Sequence, residues 1–211
     1  MKALDYIIDS YKIYKQKLLE AFIVGVAMNF LSFIALIPVV GWYLYAKLFP
    51  QIVVWYYNKL NIKVDPKYDV AFKSIMIPLL VTMIGFIIII VGVLLYLFLF
   101  MMESDEFLIN SIIIGLIIMI IGLILYILLL YTIFGSIIGK VDKFKIYAKK
   151  SLYLLLIGSI PAFIILIFYI VFFLFVPLIG PILLLILEIL VEIFYPPYLF
   201  TLYAVAIENM Q

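Results

Sequence analysis

Five polar side chains interrupt long apolar stretches of the chain, and their chemistry could serve a functional site. Each carries a carboxylate, ammonium or amide group where lipid is the expected surrounding: Asn29, Lys47, Gln51, Glu188 and Glu192. Polar groups in hydrocarbon cost free energy, so such residues are candidates for binding or transport. The sequence predicts a polar cavity near the first, second and last apolar segments that binds or transports a small solute or ion.

Glu188 and Glu192 are spaced four residues apart and therefore share one face of a helix. Counted from the nearest turns, Lys47 lies roughly 9 Å deep and Glu188 roughly 12 Å deep, which favours an ion pair between them. Such a pair would fix helix register, with Glu192 neutral or hydrogen-bonded. Snorkelling of Lys47 to the surface is an alternative. General acid/base catalysis by two carboxylates is another, although no nucleophile or metal-ligand set accompanies them.

The composition indicates which solvent surrounds the chain. Of 211 residues, 70% are hydrophobic and 12% are charged. Soluble domains contain about 45–50% apolar and about 25% charged residues. So much apolar surface requires lipid around most of the chain. The sequence therefore predicts an all-α polytopic membrane protein, with 1–211 as a single membrane domain.

Several residue types are missing, and their absence excludes classes of chemistry. The chain contains no His and no Cys, and its basic residues are all lysines. Disulfide and thiol chemistry and a Ser-His-Asp triad are excluded within this chain, and zinc or haem sites of the usual kind are not expected. We expect no metal, no cofactor and no enzymatic activity.

Six apolar segments are long enough to cross a hydrocarbon layer about 30 Å thick, which needs about 20 residues per helix. These predicted spans are 18–37, 42–59, 75–101, 109–138, 152–176 and 182–207. Three short turns lie on one side of the predicted bundle: 38–41, 102–108 and 177–181. Two of these turns contain proline and glycine, which punctuate helices, and the third is acidic.

The lysines lie on the opposite side from these turns. Every lysine except Lys47 precedes the first span, follows the second or follows the fourth. The positive-inside rule makes that face cytoplasmic. The sequence therefore predicts a multi-pass protein of the cell membrane with both termini in the cytoplasm. Fusing the first two spans into one would place the lysines of 59–73 outside, so we reject a five-span interpretation.

Internal similarity suggests one motif used three times. Residues 63–75 are similar to 140–152, and the turn 37–41 is similar to 176–180. The units would be hairpins at about 1–60, 61–139 and 140–211, each with an amphipathic interfacial lead-in. In the second and third lead-ins, Asp65 and Asp142 are candidate helix N-caps.

The lead-in lysines are expected to face anionic lipid headgroups. These predicted lipid-surface residues are Lys12, Lys67, Lys73, Lys143, Lys145, Lys149 and Lys150. The expected partner is therefore the bilayer itself. A second copy of the chain or another protein is an open alternative, and no nucleic acid is expected. Glycines at a spacing of seven, Gly85/Gly92 and Gly115/Gly122, predict close helix packing.

The turn Ile37-Pro38-Val39-Val40-Gly41, followed by Val64-Asp65-Pro66 opening the next unit, resembles a family of uncharacterised, mostly archaeal, multi-pass membrane proteins. Trp42-Tyr43-Leu44-Tyr45 departs from the Gly-Tyr and Arg that usually follow the first turn in that family. The resemblance implies a six-helix membrane fold and no known activity. Two other functions stay open: a structural or partner-binding scaffold with a dry core, and a membrane enzyme acting on lipid.

Overall fold

The chain forms a bundle of long helices. The structure is a computed structural model that describes residues 3–98, 105–175 and 180–210, with side chains at 3–98, 106–171 and 185–210. Its α-helices, in chain order, are α1 Ala3–Tyr14, α2 Leu18–Ala35, α3 Val40–Lys59, α4 Tyr68–Phe98, α5 Asp105–Ile138, α6 Ala148–Phe175 and α7 Gly180–Asn209. A short 3-10 helix, Lys15–Lys17, connects α1 to α2. No strand occurs in the residues described.

Five helical segments of the described chain are long and apolar enough to cross a membrane. They are Ala3–Ala35, which joins α1 and α2, and then Tyr68–Phe98, Glu106–Ile138, Ala148–Val171 and Leu185–Asn209. The fold is therefore that of a multi-pass helical membrane protein, as the composition predicted. The shorter α3 is not among the five, because Lys47, Pro50 and Gln51 lower its hydropathy.

The six predicted segments correspond to α2–α7, with the largest difference at α4, which begins at Tyr68 rather than at 75. Six full crossings stay a prediction because α3 does not qualify by composition. Residues 102–104 and 177–179 of the predicted turns lie outside the described residues, whereas 105–108 already belong to α5 and 180–181 to α7.

The glycine spacing correctly predicted close packing, which occurs between α4 and α5. A Cβ atom on Gly85 would lie 2.5 Å from the carbonyl oxygen of Gly115, and one on Gly122 would lie 2.2 Å from the Thr82 hydroxyl. Only glycine permits helix backbones to approach so closely. The two helices consequently form a long, tightly packed hairpin.

The second and third lead-ins are not helical, which corrects the sequence prediction. Residues 62–67 and 141–147 lack helical structure, and α4 and α6 begin at Tyr68 and Ala148, so Asp65 and Asp142 are not N-caps. The backbone N–H groups of Asp65 and Lys67 instead donate to the carbonyls of Ile138 and Ser136, at 3.2 and 2.8 Å. The first loop thus provides donors for the last carbonyls of α5, which have no partners within their own helix. Only the first lead-in, α1, is a helix.

The buried core lies where the C-terminal halves of α3, α5 and α7 meet. Tyr57, Ile133 and Leu202 are fully buried there. The Tyr57 hydroxyl donates a 2.7 Å hydrogen bond to the carbonyl of Phe200, which joins α3 to α7. One phenylalanine ring from each helix packs within this core: Phe49, Phe134 and Phe200, with centroids 5.6–6.0 Å apart.

Candidate binding cavity

A cavity of about 360 Å³ lies between α2, α3, α5 and α7, with one leucine of α6 in its wall. It occupies the region predicted from the sequence, near α2, α3 and α7. Two of the five predicted residues, Asn29 and Glu192, line it together. Pockets of about 300–1,000 Å³ are typical of small-molecule sites, so this cavity is at the small end of that range.

Aromatic side chains form much of the cavity wall. Six rings line it, two from each of three helices: Tyr45, Phe49, Tyr126, Phe134, Phe200 and Tyr203. Tyr45 stacks on Phe49 at 5.6 Å, and Phe134 meets Tyr203 edge-on at 4.9 Å. These rings lie on common helix faces because their spacings are four on α3 and three on α7.

Glu192 is the one charged side chain among the described residues that line the cavity. The other polar side chains that line the cavity are those of Asn29, Ser32, Tyr45, Tyr126 and Tyr203. The Glu192 residue itself is exposed. The ion pairs of the described residues join Lys12 to Asp9, Lys17 to Glu20 and Lys67 to Asp65, so none involves Glu192. The cavity therefore offers negative charge, oxygen acceptors and aromatic faces, without a lysine.

Two prolines in α7 determine how this wall is built. Pro196 and Pro197 lie inside the helix and have no N–H, so the carbonyls of Glu192 and Ile193 lose their usual helical donors. The Asn29 amide donates a 3.1 Å hydrogen bond to the Glu192 carbonyl. Gly25 lies so close to α7 that an added Cβ would be 1.8 Å from the Ile193 carbonyl oxygen. Helix α2 thus packs directly against the part of α7 where two carbonyls lack their helical donors.

Both hydrogens of the Asn29 amide are used for structure, because its nitrogen also donates a 3.1 Å hydrogen bond to the Gly25 carbonyl. The Ser32 hydroxyl likewise donates to the Met28 carbonyl at 3.0 Å. The amide oxygen of Asn29 is the part of that side chain left for a ligand. An asparagine at position 29 therefore stabilises the packing of α2 against α7, in addition to any role in binding.

The remaining predicted residues lie elsewhere. Lys47 and Gln51 line a separate groove with Tyr68 and Asp69, between α3 and the start of α4. The Lys47 ammonium lies 5.9 Å from the centroid of the Tyr43 ring. Glu188 is exposed and lines neither space.

The predicted Lys47–Glu188 ion pair is wrong, because neither residue belongs to an ion pair in the described part of the chain. The two depths were counted from the turns at 38–41 and 177–181, on the assumption that both hairpins reach the same height. The ring of Tyr43 in α3 instead meets Phe72, near the start of α4, at 5.6 Å. Lys47 therefore lies level with the beginning of α4.

The predicted lipid-surface lysines lie at or near the loops that precede α4 and α6, except Lys12, which is on α1. Lys67 is 2.8 Å from Asp65, and this hydrogen bond and charge raise the pKa of Lys67. Lys150 donates to the Tyr131 hydroxyl at 3.3 Å and lies 4.9 Å from the centre of that ring. The other members of the set are exposed: Lys12, Lys73, Lys143, Lys145 and Lys149.

The described residues contain no group of three or more carboxylate side chains that could hold a metal ion. One carboxylate with one amide and hydroxyl groups is a sparse set for Ca²⁺, which takes about 6–8 oxygen ligands. The chemistry of the cavity is therefore closer to that of a site for an organic cation.

The aromatic wall was missed by sequence reasoning. In the sequence, the tyrosines and phenylalanines that form it are indistinguishable from the many other aromatic residues of the apolar segments. The spacing of Tyr45 with Phe49, and of Phe200 with Tyr203, shows that each pair shares a helix face. It does not show that the three faces meet around one cavity.

Comparison of the chain with protein-family models, with curated proteins and with solved structures finds no match. The class of the protein, a multi-pass helical membrane protein, therefore follows from its helices and their apolar composition.

Proposed function

We propose that this membrane protein binds a small organic ammonium ion in the cavity between α2, α3, α5 and α7. The observation that carries the proposal is that the described residues lining the cavity include one carboxylate, Glu192, six aromatic rings and no lysine. Cations are attracted to aromatic faces by about 0.5–2 kcal/mol per contact, and quaternary ammonium groups are bound by such aromatic cages. The carboxylate supplies the compensating charge.

The same proposal extends to transport of the bound ammonium ion across the membrane. Three of the four helices around the cavity, α2, α5 and α7, belong to segments that are apolar enough to cross a membrane. A charged residue in such a segment commonly marks a solute pathway. An ammonium ion that enters beside Glu192 would be held there until its release on the same or the other side. Binding is the first step that any such activity requires.

A scaffold with a dry core is the alternative function, and one observation favours it. Both donors of Asn29 are committed to backbone carbonyls, so this residue needs no ligand. An enzyme acting on lipid is supported less well. Glu192 is the only carboxylate among the described residues that line the cavity, and Glu188 is not one of them, so the cavity contains no acid/base pair from these residues.

We further propose that the lysine-rich loops face the cytoplasm at the cell membrane, with both termini on that side. The loop before α4 contacts the end of α5 through the Asp65–Ile138 and Lys67–Ser136 backbone hydrogen bonds. The loop before α6 begins at that same end of α5, so the two lysine-rich loops lie on one side of the bundle. The lysines there would meet anionic headgroups. Membership of the uncharacterised archaeal family stays a proposal resting on the 37–41 turn.

Thermal unfolding in detergent tests the binding proposal. Choline should raise the melting temperature of the parent protein, whereas its neutral isostere, with carbon in place of nitrogen, should not. Glu192→Gln should abolish the choline effect because it removes the charge and retains the shape. Glu188→Gln is the matched control, one helical turn away and outside the cavity lining, and should respond like the parent. An equal response of all three proteins, or no response of the parent, would favour the scaffold.

A further inference from the structure

Measured from a common reference level in the bundle, the α2–α3 hairpin extends a much shorter distance toward its turn than α5 and α7 extend toward their starts. The contacting rings of Phe49, Phe134 and Phe200 provide that level in α3, α5 and α7. At about 1.5 Å per residue, α3 extends roughly 14 Å from Phe49 back to its start. By the same measure α5 extends roughly 44 Å back to its start and α7 roughly 30 Å. The tip of the α2–α3 hairpin therefore ends far below the tops of the other two.

Contacts at the tip agree with this estimate. Ala35 and Trp42, on either side of the turn, share a groove with Pro78 and Thr82 in the middle of α4. Beyond Thr82, α4 continues for roughly 24 Å to Phe98. The turn at 36–39 thus lies beside the middle of the α4–α5 hairpin and not beside its end.

The reference level lies close to the lysine-rich loops. Lys150 contacts Tyr131, which is one helical turn from Phe134. Lys47, close to Phe49 on α3, shares a groove with Tyr68 and Asp69 at the start of α4. The lysine-rich face is therefore near the level of Phe49. The second half of α3, as far as Lys59, extends about 15 Å beyond that level. The tip of the hairpin is about 14 Å above it, or roughly half of a 30 Å hydrocarbon core.

The turn itself is suited to a lipid environment. Residues 36–40 carry no polar side chain. The backbone N–H groups of Leu36, Ile37, Val40 and Gly41 donate within the turn or to the end of α2, and Pro38 has none to donate. The Val39 N–H is the one donor of the turn without an acceptor in the described backbone. In lipid, backbone groups must be satisfied in this internal way because no water is available. Gly41 allows the tight approach, since an added Cβ would lie 1.9 Å from the Ile34 carbonyl oxygen.

We infer that α2 and α3 form a re-entrant hairpin, which enters the acyl-chain layer from the lysine-rich face, turns about halfway and returns to that face. The full crossings are then α4, α5, α6 and α7, and both termini still lie on one side. Lys47 ceases to be an exception, because it lies on the same face as the other lysines. The cavity, lined by Tyr45 and Phe49 of the hairpin, falls in the half of the membrane next to the lysines.

Tryptophan depth measurements test this inference, because Trp42 lies next to the turn and Trp55 is the only other tryptophan in the chain. The Trp55→Phe variant, reconstituted in vesicles, retains Trp42 alone. Lipids brominated near the ends of their acyl chains should quench Trp42 more strongly than lipids brominated near the glycerol. Stronger quenching by the shallow bromines would place Trp42 at an interface and overturn the inference. Depth is measured in either leaflet, so the orientation of the protein in the vesicles does not matter.

The matched variant, Trp42→Phe, retains Trp55, which is exposed and lies 5.7 Å from the Lys59 ammonium. Its quenching should be greatest with shallow bromines. A second measurement needs no tryptophan change: Val39→Cys in this naturally cysteine-free chain should resist an impermeant maleimide applied to either side. Efficient labelling of Val39→Cys from the side opposite the lysines would show a complete crossing and contradict the re-entrant hairpin.

Discussion

The side-chain amide of Asn29 donates a 3.1 Å hydrogen bond to the backbone carbonyl of Glu192, the carbonyl that Pro196 leaves without its helical donor. A polar residue of α2 therefore compensates for a proline in α7. This relationship explains why an amide occurs within an apolar helix, and it places Glu192 at the cavity wall. It also predicts that the effects of changing Asn29 and Pro196 depend on each other.

Replacing Asn29 by Leu should destabilise the protein by about 1–2 kcal/mol, because the Glu192 carbonyl would lose its donor. In a Pro196→Ala background the same change should cost less, since the alanine introduced there supplies an N–H to that carbonyl. A double-mutant cycle on unfolding free energy in detergent measures the difference. Ser32→Ala provides the control, because its hydroxyl bonds only within α2 and its loss should cost little in both backgrounds. Additive effects of Asn29→Leu and Pro196→Ala would show that the amide does not replace the missing donor.

Ser151 should be a strong stability determinant at the α5–α6 contact. Its fully buried hydroxyl donates to the Leu128 carbonyl at 2.6 Å and accepts from the Tyr131 N–H at 3.0 Å. Ser151→Ala leaves both backbone groups without that partner and should cost about 1–3 kcal/mol of unfolding free energy. Ser159→Ala on the same helix, at an exposed position, should cost far less. Equal losses would mean that the Ser151 bonds are replaced by water or by the α5 backbone.

Labelling of single cysteines should locate the lysine-rich face. With an impermeant maleimide on intact cells, Glu106→Cys at the start of α5 should be labelled. Lys143→Cys, in the loop before α6, should react only after the membrane is permeabilised. The positive-inside rule is the physical reason, since lysine-rich loops resist translocation. The reversed pattern would place both termini outside and overturn the proposed orientation.

The helices themselves could be predicted from the sequence because apolar length is a local property. The start of α2 and the ends of α3 and α5 agree with the predicted segments. The glycine spacing predicted close helix packing, and the structure shows that the two helices concerned are α4 and α5. The lead-ins were predicted poorly because Asp65 can cap a helix only if the chain coils after it. In the structure, the backbone N–H groups of Asp65 and Lys67 instead donate to carbonyls at the end of α5.

The cavity could be predicted only in part. Asn29 and Glu192 are recognisable as polar residues in apolar helices, and the structure places them on one wall. The height of α3 relative to α5 cannot be deduced from hydropathy, which gives the length of a helix but not its position along a neighbour. For that reason Lys47 was assigned to the wrong level, and the aromatic wall formed by Phe49, Phe134 and Phe200 was not foreseen.

Equilibrium binding of radiolabelled choline to the purified protein tests the central claim most directly. The account predicts saturable binding at one site per chain, displaced by unlabelled choline and not by its neutral isostere. Glu192→Gln should weaken binding by about tenfold or more, equivalent to about 1.4 kcal/mol, because the charge opposite the ammonium is lost. Glu188→Gln should bind as the parent does. Undiminished binding by Glu192→Gln, or no saturable binding by the parent, would contradict a cation site in this cavity.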